Sequence, residues 1–318
     1  MNRAAIASAN ASGGFEYWHQ VTCLNYSTTD CRIPDDADFD GKIDVKSLGA
    51  LLISDIVACT SPDNPIRVTR RAQHIRKDGR DDFMLWLTLK GTATLAQDDR
   101  AALMRPGDLI LHDQTRPFVL EFSETHRCIM ITIPRPLLIS RLPTARRCVA
   151  RRIAAGTPIG ALAASMTEHL SRMDAQAELD VAQRICASAL DILATTIETE
   201  LKEPAAPLPR RARQLEQVKR YLIDNLHDTE ITLEQIAKSQ RMAPRTLNRV
   251  FAMEGTTPIR WLWRQRLAAS YKALAEGHVQ QVTDAAFSCG FSDPSHFSRA
   301  FKAEFGLTPQ EVSRRRLA

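Results

Sequence analysis

Several things are missing from this chain of 318 residues, and each absence removes a class of protein. No run of ~18 consecutive apolar residues occurs, which excludes a membrane-spanning helix. The opening MNRAAIASANASGG is small and polar and lacks the apolar stretch of a secretory signal. Residues 1–14 therefore read as a flexible tail, and the compartment as the cytoplasm. The seven cysteines, at 23, 31, 59, 128, 148, 186 and 289, are scattered, odd in number and without a C-x-x-C pair. They read as reduced thiols, neither a disulfide frame nor a zinc site. There is no G-x-S-x-G, no phosphate-cradling glycine loop and no H-E-x-x-H.

Charge of one sign is also scarce. The 42 Lys+Arg and 37 Asp+Glu leave a net charge of +5, too little by itself to name a polyanionic partner. Its distribution says more. Residues 210–318 hold 18 basic and 11 acidic side chains, whereas residues 1–209 hold 24 and 26. One part of the chain is thus suited to a polyanion and the other to a different task. A hydrophobic content of 44% with 25% charged residues is ordinary for folded domains, and the length suits about two of them.

The proline-rich KEPAAPLPRRAR, residues 202–213, cannot continue a helix and has little to bury, so it reads as an interdomain linker. Ahead of it, short β-rich runs from about residue 45 to 135 (SLGALLISDIVAC, IRVTRRAQHI, FMLWLTLKG, TATLAQ, DLILH, PFVLEF, CIMITIP) alternate with turn signals, as in an antiparallel sandwich or barrel. From 159 to 201 the period becomes helical. Leu162, Met166, Leu170 and Met173 share one helical face, and Val181, Ile185, Ala189 and Ile192 another. Two such helices either cover the barrel or pair two subunits, and dimerisation is the preferred reading. Phe15–Tyr26 is a further helix candidate.

After the linker nothing reads as strand. Helices are expected at 213–226, 232–239, 244–254, 257–275, 282–289 and 293–305, with a short one after Thr308. Thr232 and Asp293 suit N-caps, and Pro258 and Pro294 suit first turns. This part also repeats itself. IAKSQRMAPRTLNRVF resembles AAFSCGFSDPSHFSRAF about 50 residues on, pairing Pro244 with Pro294, Arg249 with Arg299 and Phe251 with Phe301. Each copy has a short helix with a small inner residue (Ala237, Ala286), a turn, and a longer helix anchored by Leu247/Phe251 or Phe297/Phe301. That is a helix-turn-helix, with units at about 232–254 and 282–305.

The faces left over carry Arg245, Thr246, Asn248 and Arg249 in the first copy, and Ser295, His296, Ser298 and Arg299 in the second. Arg makes bidentate bonds to guanine and Asn to adenine, so these eight are the candidate DNA-binding residues. A solvated helix face is the plainer alternative. Either Arg249 or Arg299 could instead sit at the edge and bind phosphate or a carboxylate. The segment TPIRWLWRQRLAASYKALAE is long enough, about 28 Å, to hold the two units roughly one duplex turn apart. Its Arg260, Arg264 and Arg266 are expected to be exposed or near phosphate.

With these residues in view, the last hundred positions resemble the DNA-binding domain of the AraC/XylS family of bacterial regulators. Gly290-Phe291-Ser292-Asp293-Pro294-Ser295-His296-Phe297-Ser298-Arg299-Ala300-Phe301-Lys302 and the terminal Thr308-Pro309 carry the resemblance. Ala285, where the family has a larger aliphatic residue, is a departure. Leu85-Trp86-Leu87-Thr88-Leu89-Lys90-Gly91, Arg105-Pro106-Gly107-Asp108 and Ile133-Pro134-Arg135 are similar to the ligand-binding domain that some members carry.

The resemblance implies an α+β two-domain protein. Residues 1–201 would form a cupin-like β-barrel with two following helices, binding an effector and forming a homodimer. Residues 214–318 would form an all-α domain of two helix-turn-helix units. Promoter DNA, RNA polymerase and a small organic effector, an aromatic acid or amine, are the expected partners, and activation the expected outcome. Trp86 and His112 are the candidate effector contacts, although a place in the packed core is the plainer reading of each.

A cupin-type metalloenzyme fused to a DNA-binding module is the alternative. It needs about three converging ligands. His74, His112 and His126 stand alone in their strands, without a His-x-His pair, so neither a metal site nor another cofactor is expected.

Overall fold

The computed structural model describes residues 11–33, 39–60, 65–122, 125–173, 179–201 and 210–315. The chain divides into two compact units, Met1–Lys202 and Glu203–Ala318. Of the expected linker, residues 202–209 lie outside the described residues. Residues 210–213 are already the first turn of a helix, because Arg210, Arg211 and Arg213 follow the last proline and nothing there breaks a helix.

The first unit is built on β1 (Ala11–Gly13), β2 (Asp30–Arg32), β3 (Asp40–Leu48), β4 (Leu51–Cys59), β5 (Ile66–Arg70), β6 (Asp82–Lys90), β7 (Ala93–Gln97), β8 (Arg100–Met104), β9 (Leu109–Asp113), β10 (Phe118–Phe122), β11 (Thr125–Pro134) and β12 (Arg152–Ile153). Its pairings are antiparallel. One sheet runs β1-β3-β4-β11-β6-β9-β12 and the other β2-β5-β10-β7-β8. The expected barrel therefore takes the form of two separate sheets packed face to face. Ile43, Ile56, Met84, Trp86, Ile110 and Met130 from the first sheet meet Ile66, Leu95, Phe118, Leu120 and Phe122 from the second in one core. Helix α1 (Phe15–Asn25) adds Trp18 and Val21 to that core.

Four local differences from the sequence reading have physical causes. The tail expected at 1–14 is structured in part, because Ala11–Gly13 pairs with β3, while residues 1–10 lie outside the described residues. β3 begins at Asp40, since GKIDVKSL alternates inward Ile43 and Val45 with exposed Lys42 and Asp44. Gly49, at φ +55°, turns it into β4. The run IRVTRRAQHI is a strand only to Arg70. It then becomes helix α2 (Ala72–Asp78), where the Arg71 amide donates to His74 Nδ1 at 3.1 Å and Gly79 ends the helix at φ +56°.

Three helices follow the strands: α3 (Arg135–Ile139), α4 (Pro158–Arg172) and α5 (Leu179–Glu200). α4 lies over β4, β6 and β11. Its buried stripe is small, formed by Gly160, Ala163, Thr167 and Leu170. α5 buries Ala182, Cys186, Ala189, Leu193 and Ile197. The apolar faces read from sequence are mostly a second, outward stripe. Leu162 is 57% exposed, Val181 41% and Ile192 37%, with Met166 and Ile185 half-buried beside them.

The second unit is all helix: α6 (Arg210–Asp224), α7 (Leu233–Ser239), α8 (Pro244–Ala252), α9 (Pro258–Ala275), α10 (Val282–Ser288), α11 (Pro294–Phe305) and α12 (Pro309–Arg315). Thr232 caps α7 with a capping box to Gln235, and the Asp293 carboxylate accepts from the Ser295 amide at 2.8 Å. Pro244, Pro258, Pro294 and Pro309 each open a helix.

The repeat proves deeper than the sequence match. Met242 N–H donates to Ala237 O, and Phe291 N–H to Ala286 O, so both turns close with the same six-residue bond. Past the longer helices, Gly255 (φ +66°) with Thr257-Pro258 matches Gly306 (φ +68°) with Thr308-Pro309. Both threonine hydroxyls accept from the amide three residues on, at 3.2 Å.

α9 serves both copies. Trp261 and Leu262 enter the core of the first, with Leu247, Val250 and Phe251. Leu267 and Leu274 enter the core of the second, with Ala285, Ala286, Phe291, Phe297 and Phe301. The departure at Ala285 is accommodated there, because it is fully buried while Phe287 turns outward, 54% exposed.

The two turns differ at one position. The second has Gly290 at φ +80°, where a Cβ would stand 2.5 Å from Leu226 O and 2.8 Å from Arg266 Nε. The first has Arg241 at φ +51°. Gly290→Ala is expected to lose about 2 kcal/mol or more in urea unfolding, whereas Arg241→Gly stays within ~1 kcal/mol of the parent. Equal effects would refute the role given to the Gly290 contact.

Candidate DNA-reading face and effector cavity

α8 and α11 each bury one face and leave a stripe at i, i+3, i+4 and i+7. On α8 the stripe is Arg245, Asn248, Arg249 and Ala252, all exposed, because Leu247, Val250 and Phe251 take the inner face. On α11 the equivalent positions are Ser295, Ser298, Arg299 and Lys302. Among the described residues, the side chains of Arg245, Asn248, Arg249, Ser295 and Arg299 have no hydrogen-bond or ion-pair partner in the protein.

The remaining candidates are placed differently. Thr246 is half-buried beside the stripe. His296 packs edge-on against Trp263, with ring centroids 5.1 Å apart. The Ser298 hydroxyl donates to Pro294 O at 2.9 Å. The first copy thus presents two arginines and an asparagine, and the second one arginine, one lysine and a free serine. Lys302 was missed in sequence, although its offset of seven from Ser295 was the available signal.

Arg266 departs from expectation. It is buried, its Nε donates to Leu226 O at 2.8 Å, and its Nη2 donates to Asp228 O. It faces α9's own neighbours and not a phosphate, because α9 is buried on both sides at that point. Arg260 and Arg264 are exposed, and Arg264 lies 3.9 Å from Glu304.

In the first unit, Trp86 and His112 come together as neighbours on paired strands β6 and β9. Trp86 Nε1 donates to His112 Nδ1 at 2.9 Å. Both line a cavity of about 50 Å³ between the two sheets. Met84, Met130, Phe118 and Phe122 line it from the strands, and Trp18 and Tyr26 from α1 and its end. Burial holds His112 far below the usual histidine range, at about 3, and His126 at about 4. The same burial pushes the Tyr26 phenol up. Sequence reasoning missed Trp18, Tyr26, Phe118 and Phe122. Inward alternation along β10 marks the two phenylalanines, but nothing in α1 tells that Trp18 turns toward the sheets.

Three arginines of β5 and β11 are spoken for. Arg67 pairs with Glu121 and Arg127 with Asp55 at the surface. Arg70 is fully buried and donates to Gln114 O, Thr28 O and both Asp78 oxygens. Among the described residues no group of three His, Cys, Asp or Glu side chains is arranged to hold a metal ion. No helix there is long and apolar enough to cross a membrane.

Two family models match the chain. A helix-turn-helix domain covers residues 236–315, and an AraC-binding-like domain covers residues 18–197. The transcriptional activator NphR of Rhodococcus sp is 33% identical over 295 residues, spanning 92% of this chain and 86% of that protein. An uncharacterized protein in the nit 5' region of Bacillus sp. (strain OxB-1) is 29% identical over 58% of this chain and 70% of its own length. In fold, the AraC-like transcriptional activator CuxR aligns over 83% of this chain and 96% of its own, with a TM-score of 0.54 and 18% identity. The helix-turn-helix domain and NphR are those of a transcriptional regulator, not of an enzyme. The chain belongs to the AraC/XylS family of transcriptional regulators, with an AraC-binding-like domain ahead of its helix-turn-helix DNA-binding domain.

Proposed function

We propose that the protein is a cytoplasmic transcription activator that reads promoter DNA with α8 and α11 and takes its signal from a small organic effector held between the two sheets of its first unit. The observation that carries the DNA reading is the pair of equivalent stripes on α8 and α11, polar, exposed and without internal partners at their arginines. α9, of 18 residues, is about 27 Å long and packs into both copies, a span suited to two successive major grooves. Arg245 and Asn248 supply base contacts, Arg249 and Arg299 bases or phosphates, and Ser295, His296, Ser298 and Thr246 lesser contacts at the edges. Lys302 is a phosphate contact. Bound effector alters recruitment of RNA polymerase.

The protein acts as a homodimer through α4 and α5. What supports this is the outward stripe of Leu162, Met166, Val181, Ile185 and Ile192, which leaves apolar surface on helices already packed by their other face.

Arg245→Ala is expected to cost ~1–3 kcal/mol in operator binding and to relax preference at one base pair. Lys302→Ala weakens binding to all sequences alike and lowers the salt slope by about one. Unchanged operator affinity in both variants would refute the assigned face. In sedimentation, the parent protein runs as a dimer and Leu162→Glu with Ile192→Glu as a monomer with an unchanged melting profile of its second unit. A monomeric parent would remove the dimer from the proposal.

A further inference from the structure

The chemistry of the cavity wall narrows the effector class, and this step rests on the reading of that cavity as the effector site. We infer that the effector is an uncharged aromatic molecule carrying a hydrogen-bond acceptor, such as an aromatic amide or ketone, rather than an ionised acid or amine.

Three features of the wall carry this. The first is its charge. No Lys, Arg, Asp or Glu is among the residues lining the cavity. The nearby buried guanidinium of Arg70 places four of its five N–H donors on Gln114, Thr28 and Asp78, and the Asp78 carboxylate balances its charge. An ionised carboxylate would lose its water without gaining a cation, and an ammonium would find no carboxylate. Either loss weakens binding tenfold or more in a dry interior.

The second is the sign of the free hydrogen bonds. Tryptophan Nε1–H only donates, so the bond from Trp86 requires His112 Nδ1 to be bare. The neutral ring then carries its proton on Nε2, and that atom is buried without a partner. Trp18 Nε1, also buried in the wall, is a second donor without a partner. The Tyr26 hydroxyl has the Ser54 hydroxyl as a neighbour and is not one of these free donors. Donors left in a wall call for acceptors on the occupant.

The third is shape. Trp18, Tyr26, Trp86, Phe118 and Phe122 surround the space, with Trp86 and Phe122 ring centroids 6.0 Å apart and His112 and Phe118 4.5 Å apart. Such walls favour a flat ring. A cavity that holds benzene has about 150 Å³, so the present 50 Å³ must grow. Met84 and Met130 are unbranched and adaptable, and α1 with the following Tyr26, Ser27 and Thr29 forms the wall outside the sheets.

Matched probes test the class on the full chain at neutral pH. Benzamide, benzoate, benzylammonium and cyclohexanecarboxamide are titrated while tryptophan fluorescence and heat are recorded. Benzamide is expected to bind saturably, and the other three roughly tenfold more weakly or worse. Benzoate or benzylammonium binding as tightly as benzamide would overturn the class and leave the effector cavity standing. Absence of saturable binding by every probe at millimolar concentration would overturn both. Long-range ¹H–¹⁵N spectra of the unliganded protein give a check that needs no variant: His112 is expected as the Nε2–H tautomer, and an Nδ1–H ring would overturn the donor assignment. His112→Phe, if folded, is expected to bind benzamide about tenfold more weakly, and undiminished binding would again overturn it.

Discussion

The second unit depends on one buried cation. Arg266 reaches from the middle of α9 to the carbonyls of Leu226 and Asp228, in the segment between α6 and α7. Gly290, in the turn of the second copy, packs against the same guanidinium and the same Leu226 carbonyl. The start of one copy and the turn of the other are therefore held to a single side chain. A guanidinium is suited to this, because it donates in several fixed directions and stays charged when buried. Its cost of desolvation is offset by carbonyls whose own hydrogen-bonding need is met in the same act. Two recognition helices mounted on one straight helix would otherwise be free to twist against each other. Reading two sites on one duplex requires that they are not.

The first unit follows a different logic. Its inner surface keeps polar atoms unpaired: His112 Nε2, Trp18 Nε1, Thr88 Oγ1, Thr132 Oγ1 and Gln114 Oε1. Each is a cost of about 1–3 kcal/mol in a core built only for stability. Some buried polar groups of the same unit are satisfied, although Asp113 Oδ2, Arg135 Nη1, His126 Nε2 and Thr167 Oγ1 are not. Gln97 exchanges both of its amide bonds with the Asp113 backbone, and Asp108 accepts from Arg105 and Ala155. Of these atoms, His112 Nε2 on β9 and Trp18 Nε1 on α1 belong to residues that line the cavity. The proposed guest would meet the need of those two donors.

Legibility in the sequence followed the physics of each part. The reader was clear because short helices carry their own punctuation: Thr232, Asp293 and four helix-opening prolines fix the boundaries, and a repeat reports the same geometry twice. Arg266 was misplaced because a lone arginine on an amphipathic helix gives no sign that a second layer covers it. In the sensor, Trp86 and His112 were visible as residues but not as a pair, since their bond joins strands 26 positions apart. β3 hid behind its charged outward residues, and β1 behind a composition that favours disorder. The outward stripe on α4 and α5 was visible because period reports apolarity. What period cannot report is which of two apolar faces meets the sheet. On α4 the sheet selects the smaller one, since Gly160 and Ala163 allow a helix to lie close on a flat surface.

The cavity and the helices of the outward stripe share one strand. β3 sends Ile43 and Val45 into the core around the cavity and pairs along its edge with β1, immediately before α1. At its other end, the Leu48 carbonyl accepts from the Cys186 thiol of α5 at 2.7 Å, and a Cβ on Gly49 would stand 3.2 Å from that sulfur. Lys46 Nζ donates to the Met173 carbonyl at the end of α4. An effector shifts an equilibrium only by its difference in affinity for two states. A space of 50 Å³ nearly excludes an aromatic ring, and an enlarged one admits it, so the difference is built into volume. α1, which lies outside the sheets, adjoins the strand to which α4 and α5 are bonded. The volume a guest requires and the seating of the two outward-striped helices are thus properties of the same strand.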